Sequence, residues 1–356
     1  MSRLLCLVLT IFVISTELSI RSIAQDDGDS FVAASGALLE RAQKTDMLAL
    51  GERHWSIPEH RFLTTLIRNP QFPSVFPEII VEFGNAHYQK TINRYLAGKK
   101  VSDRELNKVW QDTTVPMAWD TPLYAEFFEA IRNVNSRLPR NNKIHVFLGD
   151  PPVNWSKVKT VADFKPFMDR DAFYATVMAR NCSLERCLLI CGALHFQWKD
   201  PLANLRPPST HKNVLEYYRA RTSSTNKIEV VLPLYSQAEP FARFSVPSLS
   251  STYSLPLSAM RFGQVDQSRV SILKKVDGEM KAMEVQADDT LPISEVVDWV
   301  LYLGKEDKKS EPTPSLYQDR AYVRELYRRS KIVGDAFGFD LTADVKEIDP
   351  DAKPAH

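Results

Sequence analysis

Two segments of this chain end in the same way, with an apolar run stopping at G-x-x-H. Residues 47–50 (Met-Leu-Ala-Leu) lead into Gly51-Glu52-Arg53-His54, and residues 187–191 (Cys-Leu-Leu-Ile-Cys) lead into Gly192-Ala193-Leu194-His195. Between them, Ile79-Ile80-Val81 ends in Glu82. An imidazole gives and takes protons near neutral pH, and a carboxylate beside it either orients the ring or shares a cation with it. Glu52, His54, Glu82 and His195 are therefore the candidate catalytic residues, and the same four are the candidate ligands of a divalent metal. With open positions, such a donor set suits Mn, Co, Fe or Zn without choosing among them. The plainer alternatives are a Glu52–Arg53 ion pair and histidines satisfied by backbone carbonyls. A carboxylate at the end of a buried strand is costly unless it is paired or bound to a cation, which favours the site.

For these residues to meet, each apolar run must be a strand. Runs of this kind, apolar at every position, read as strands buried on both faces of a parallel sheet. In such sheets ligands bind outside the carboxyl ends of the strands, where all four candidates fall. The spacing predicts strands over 47–52, 78–83, 143–148, 187–196, 228–235 and 298–304. It predicts helices over 31–44, after Ser56, from about Asn85 to Gly98, from Pro122, within 163–181, and over 317–334 with Gly334 as its cap. Ser56 and Glu59 form an S-x-x-E capping box with Pro58 in the first turn, and Asn69-Pro70 stops that helix.

Five further residues fall near the same strand ends, as candidates for substrate binding or for support of the site. His60 lies in the first turn of the helix after His54. Asp150 ends the third strand, or simply caps the Pro151-Pro152 turn. Arg170 and Asp171 open a helix, as a structural pair or with Arg170 reaching an anion or a site carboxylate. Trp119 belongs to an aromatic set with Trp55, Phe83, Tyr124 and Phe196 that could wall a pocket, although core packing explains most of such a set. His87 is expected to face solvent and His145 to be core.

Bulk composition excludes several classes. The chain has 356 residues, 44% hydrophobic and 25% charged, with a net charge of +1. That balance gives no basic footprint, so a nucleic-acid partner is not expected. Twelve glycines and no G-x-G-x-x-G, G-x-x-x-x-G-K-[ST], G-x-S-x-G or H-E-x-x-H leave the phosphate-binding loops and the familiar hydrolase signatures unrepresented. The expected partner is a small-molecule or peptide substrate.

The first 24 residues read as a signal peptide: Arg3, an apolar stretch of 11 residues from Leu4 to Ile14, and a small-x-small site at Ser22-Ile23-Ala24. The alternative, an uncleaved anchor, is disfavoured by the shortness of the stretch. No other stretch would span a membrane, so the expected location is periplasmic or secreted. In an oxidising compartment Cys182 and Cys187 could close a short loop, while Cys191 packs as a small apolar group. Residues 25–340 are expected to form one domain, with 236–290 an excursion of unclear role and 341–356 a disordered tail. The oligomeric state is left open.

The residues also resemble a known family. L-G-E-R-H-W-S-I-P-E-H (50–60), I-I-V-E-F (79–83) and Q-x-x-I-N-R-Y-L-A-G (89–98) are similar to the ChaN-like, Tiki and erythromycin-esterase-like superfamily. W-D-x-P-L-Y (119–124), R-D-x-F-Y-A-x-V-M-A-R-N (170–181) and G-A-L-H-F (192–196) follow in the family's order. The resemblance covers about residues 40–200 and implies a three-layer α/β/α fold with a central, mainly parallel sheet. It implies three different chemistries: metal-dependent proteolysis in Tiki-like members, lactone hydrolysis with a histidine base in erythromycin-esterase-like members, and haem binding in ChaN-like members. The expectation is thus a hydrolase, protease or esterase, using the Glu/His set. A haem or iron-complex binding protein is the alternative, and a non-catalytic scaffold the third reading.

Overall fold

The computed structural model describes residues 29–182, 186–203, 212–239, 241–265, 269–276, 279–286 and 290–350. The signal segment expected over 1–24 lies outside them. The core is a seven-stranded sheet in the order β3-β2-β4-β1-β5-β9-β6. Its strands are β1 (Met47–Glu52), β2 (Glu78–Asn85), β3 (His145–Asp150), β4 (Cys187–Gly192), β5 (Ile228–Tyr235), β6 (Ser248–Ser251) and β9 (Trp299–Gly304). All neighbours pair in parallel except β6, which adds antiparallel to β9.

Strand parity sorts the side chains into two cores. Leu48 and Leu50 of β1, with Ile79, Val81 and Phe83 of β2, pack with the helices Ile57–Arg68 and Pro122–Arg137. Met47, Ala49 and Ile80 pack on the other face with the helices Arg170–Asn181 and Val214–Arg221. This is the three-layer α/β/α arrangement expected, and it explains why the strands carry apolar residues at every position.

The edge at β3 is closed by a side chain. The Gln89 amide donates to the Val146 carbonyl (2.8 Å) and accepts from the Leu148 N–H (2.9 Å), as a neighbouring strand would. An occupied edge resists pairing with another chain.

Several boundaries differ from the sequence reading. β4 ends at Gly192, not at residue 196, and Ala193–Phe196 is a 3-10 turn. The Gly192 N–H is drawn to the Glu82 carboxylate (2.5 Å), which takes the chain out of the sheet. The closing helix runs Arg320–Phe337, through Gly334, and Gly338 is its left-handed cap at φ 82°. Gly334 serves close packing instead: a Cβ there would lie 2.4 Å from the Phe339 carbonyl oxygen. The tail expected to be disordered carries a helix over Thr342–Ile348, whose Val345 is buried against Val323 and Leu326. His145 is exposed rather than core, because it opens β3 beyond the packed part of the strand. The 236–290 excursion supplies β6 and a separate antiparallel pair, β7 (Arg269–Val276) with β8 (Glu279–Gln286). Cys182 and Cys187 form a disulfide, and Cys191 is a buried free thiol. No helix of the described residues is long and apolar enough to cross a membrane.

Candidate active site

β4 inserts between β2 and β1, so the three strands that carry the candidate residues are immediate neighbours. Their register matches: Ile190 aligns with Val81 on one side and with Leu50 on the other, and Glu52 aligns with Gly192. Glu52 follows Leu50 in parity and Glu82 follows Ile80, so the two carboxylates leave opposite faces of the sheet. Each is held by the helical layer on its own face, and they converge where the sheet ends.

On the first face, the Glu52 Oε2 is hydrogen-bonded to His54 Nδ1. Its Oε1 accepts from the Tyr124 hydroxyl (3.0 Å) and lies 3.5 Å from His60 Nε2. Burial alone would raise the Glu52 pKa, but the two imidazoles outweigh it and hold the carboxyl at about 2. Burial likewise pulls His54 down and Glu52 pulls it up further, leaving the ring above its usual 6.5. The His54 side chain is 38% exposed, and among the described residues its Nε2 has no protein partner. An imidazole held at Nδ1 by a buried carboxylate, with Nε2 open, is an oriented base.

On the second face, Glu82 Oε1 pairs with Arg170 Nη2 and Oε2 accepts from the Gly192 N–H. Burial would raise Glu82, yet Arg170, His195 and His54 hold it well below the usual carboxylate range. Arg170 also reaches Asp150 through Nε (3.3 Å). Asp150 is fixed by the Thr114 N–H (2.8 Å) and hydroxyl, and burial leaves it raised to about 6 despite Arg170. His195 Nδ1 lies 2.5 Å from Asp171 Oδ1, and Nε2 lies 3.5 Å from Glu82 Oε1. Against burial, Glu82 and Asp171 raise the His195 pKa above 6.5.

Two features join the faces. The Trp119 ring stands edge-on to His54 (centroids 5.5 Å apart) and under the Arg170 guanidinium (5.5 Å). A Cβ on Gly192 would lie 3.2 Å from Glu82 Oε2, 3.2 Å from His195 Cδ2 and 3.5 Å from His54 Cε1. Glycine is thus the residue that lets these three groups close around one point.

All nine residues singled out from the sequence lie in this constellation, or one hydrogen bond from it. The sequence reading missed three contributors. Tyr124 lay in the W-D-x-P-L-Y segment but was grouped with wall aromatics. Thr114 carries no signal of its own. Glu59, expected to complete a capping box, instead accepts from the Arg53 N–H (3.0 Å) and braces the turn to His54. Of the expected aromatic wall, Phe83 and Phe196 are core.

Potential metal ligands are present. Glu52, His54 and Glu82 offer donor atoms within 4.8 Å of one another, and so do Glu82, Cys191 and His195.

No protein-family model and no curated protein matches this chain. Solved structures do. The ChaN protein of Campylobacter jejuni, described with cofacially bound haem, is 14% identical over 57% of this chain and 87% of its own, with a TM-score of 0.36. A variant of the erythromycin esterase EreC in an open conformation is 14% identical over 76% and 93%, with a TM-score of 0.43. A protein of Bacillus cereus is 10% identical over 75% and 90%, with a TM-score of 0.44.

Proposed function

We propose that this protein is an exported hydrolase of carboxylic esters or lactones that uses His54 as its general base. The observation that carries this reading is the Glu52–His54 pair, with its open Nε2, beside the partly exposed Arg170 and His195. In the reaction His54 Nε2 takes a proton from water as the water oxygen attacks the ester carbonyl carbon. The carbonyl π pair moves onto its oxygen, where charge develops. Arg170, with Nη1 unpartnered among the described residues, and protonated His195 stabilise that oxyanion. Collapse of the tetrahedral intermediate breaks the acyl C–O bond, and the leaving oxygen takes the proton from His54.

Glu82 is the anchor of Arg170 and His195 here, not the base, because both its oxygens are engaged and its basicity is low. Export rests on the apolar leader, and the Cys182–Cys187 disulfide is of the kind an oxidising compartment permits.

A divalent metal is the second reading, favoured by the clustering of donor atoms. Glu52, His54 and Glu82 would hold such an ion, with His195 beside them, and it would supply Lewis acidity to the carbonyl. The Arg170 guanidinium on Glu82 already puts positive charge at that position, which is why the metal-free reading leads. Haem is the third group to consider. His54 Nε2 would be the group to hold its iron, since the Tyr124 hydroxyl is committed to Glu52.

The test is p-nitrophenyl acetate hydrolysis by the purified mature chain, with elemental mass spectrometry and a visible spectrum. Metal-free turnover that falls at least a hundredfold in His54→Ala supports the reading. Stoichiometric metal lost in that variant would replace it with the second reading, and a Soret band without turnover with the third.

A further inference from the structure

The residues next to the two site histidines are large, apolar and exposed. Trp55, which follows His54, is 40% exposed, and Leu194, which precedes His195, is 42% exposed. Both imidazoles come within 3.5 Å of the point that a Cβ on Gly192 would occupy, so each of these apolar residues is one position along the chain from a ring at that point.

Trp55 is held there by unusual means. Its backbone takes φ 68°, in the left-handed region that a bulky side chain rarely adopts. Its indole Nε1–H donates to the Ala118 carbonyl (2.7 Å) and its N–H donates to the Tyr124 hydroxyl (3.3 Å). Its carbonyl accepts from the Ser310 N–H (2.7 Å), while Lys309 Nζ donates to the His54 carbonyl (2.7 Å) and the Ile57 N–H donates to the Lys308 carbonyl (2.8 Å). The 308–310 strap therefore clamps the whole turn. Strain of this kind persists only where the surroundings enforce it, and such strain gathers at ligand-binding sites. A tryptophan that only needed shelter would be buried. This one is fixed at both backbone and indole and still offers its ring to solvent.

Resting on the esterase reading, we infer that the site takes esters with an extended apolar acyl chain. The chain lies against Trp55 and Leu194 while the carbonyl enters among His54, Arg170 and His195. The site is thus divided: cationic and hydrogen-bonding at the end of the sheet, apolar at the mouth. The substrate it fits is amphipathic.

The test compares p-nitrophenyl acetate, butyrate and octanoate. Burial of each methylene on a half-open surface raises kcat/KM roughly twofold, so octanoate should exceed acetate by more than tenfold. Trp55→Gly, which accepts the positive φ, and Leu194→Ser, at an unstrained position, should each flatten that series. Hydrolysis of all three esters at equal kcat/KM, or an unaltered slope in both variants, overturns the inference and leaves the esterase reading standing. If none of the esters is hydrolysed, the esterase reading fails by itself. Titration with sodium octanoate and sodium acetate then decides the inference. It stands if octanoate binds at least tenfold more tightly in the native protein and not in Trp55→Gly, and equal affinities sink it.

Discussion

His195 Nδ1 lies 2.5 Å from Asp171 Oδ1, which makes a second carboxylate–imidazole pair beside Glu52 and His54. The two pairs come from opposite faces of the sheet, and each contains a ring that its carboxylate makes more basic. Asp171 and Glu82 raise His195 against the pull of burial, so His195 carries its proton above pH 6.5. In Asp171→Asn, the His195 titration followed by NMR should move down towards 6.5 or below. The alkaline limb of the rate profile should move down with it, and turnover on that limb should fall about tenfold, since the oxyanion then loses a charged donor. A His195 titration that does not move in Asp171→Asn would remove the pair from the mechanism.

Glu52 contributes to the acid limit of stability, as does Glu82. The Glu52 carboxyl is held at about 2 in the folded chain against 4.5 unfolded. A depressed carboxyl contributes stability that is present above 4.5 and lost as pH falls towards 2. A shift of that size corresponds to about 3 kcal/mol, shared with its two imidazole partners. Urea midpoints should therefore fall steeply between pH 4.5 and 2, and Glu52→Gln should flatten that limb while lowering stability at neutral pH. Parallel limbs in the two proteins would show that other carboxylates govern acid unfolding.

Much of this site was legible because strand parity is simple. Leu50 and Glu52 must share a face, and so must Ile80 and Glu82, so each carboxylate could be assigned to a strand end from the apolar runs alone. The insertion of β4 between β2 and β1 was not legible, because strand order is set by long-range packing that leaves no local pattern. Nor was the early end of β4, which depends on the Gly192 N–H choosing a carboxylate 110 residues away. The 308–310 strap was not legible either, because it holds Trp55 through backbone groups to which side-chain chemistry gives no clue.

Gly192 tests how closely the groups must approach. A methyl group there would press on Glu82 Oε2 and His195 Cδ2, both at 3.2 Å, and each would have to give by a few tenths of an ångström. The φ of Gly192 is −46°, so alanine meets no backbone strain. Gly192→Ala should fold with nearly native stability and lose at least tenfold in turnover, since small misplacements at a reacting centre are costly. Native turnover in a folded Gly192→Ala protein would mean that the reaction does not occur at this point.

Glu59 is fully buried, and among the described residues its Oε1 has no hydrogen-bond partner. Burial first, and then the nearby Glu52, push its pKa well above 4.5, so the folded chain favours the protonated form more than the unfolded chain does. A raised carboxyl has the opposite sign to Glu52. Its stabilising share is complete below pH 4.5 and is lost as pH rises through the folded value, because the unfolded chain ionises first. Glutamine reproduces the neutral form, can still accept from the Arg53 N–H, and has no proton to lose. Glu59→Gln should therefore be more stable than the native chain at pH 7, with little gain at pH 4. Urea denaturation at the two pH values checks this, and a variant less stable than native at pH 7 would show that Glu59 is ionised and paired in the folded chain.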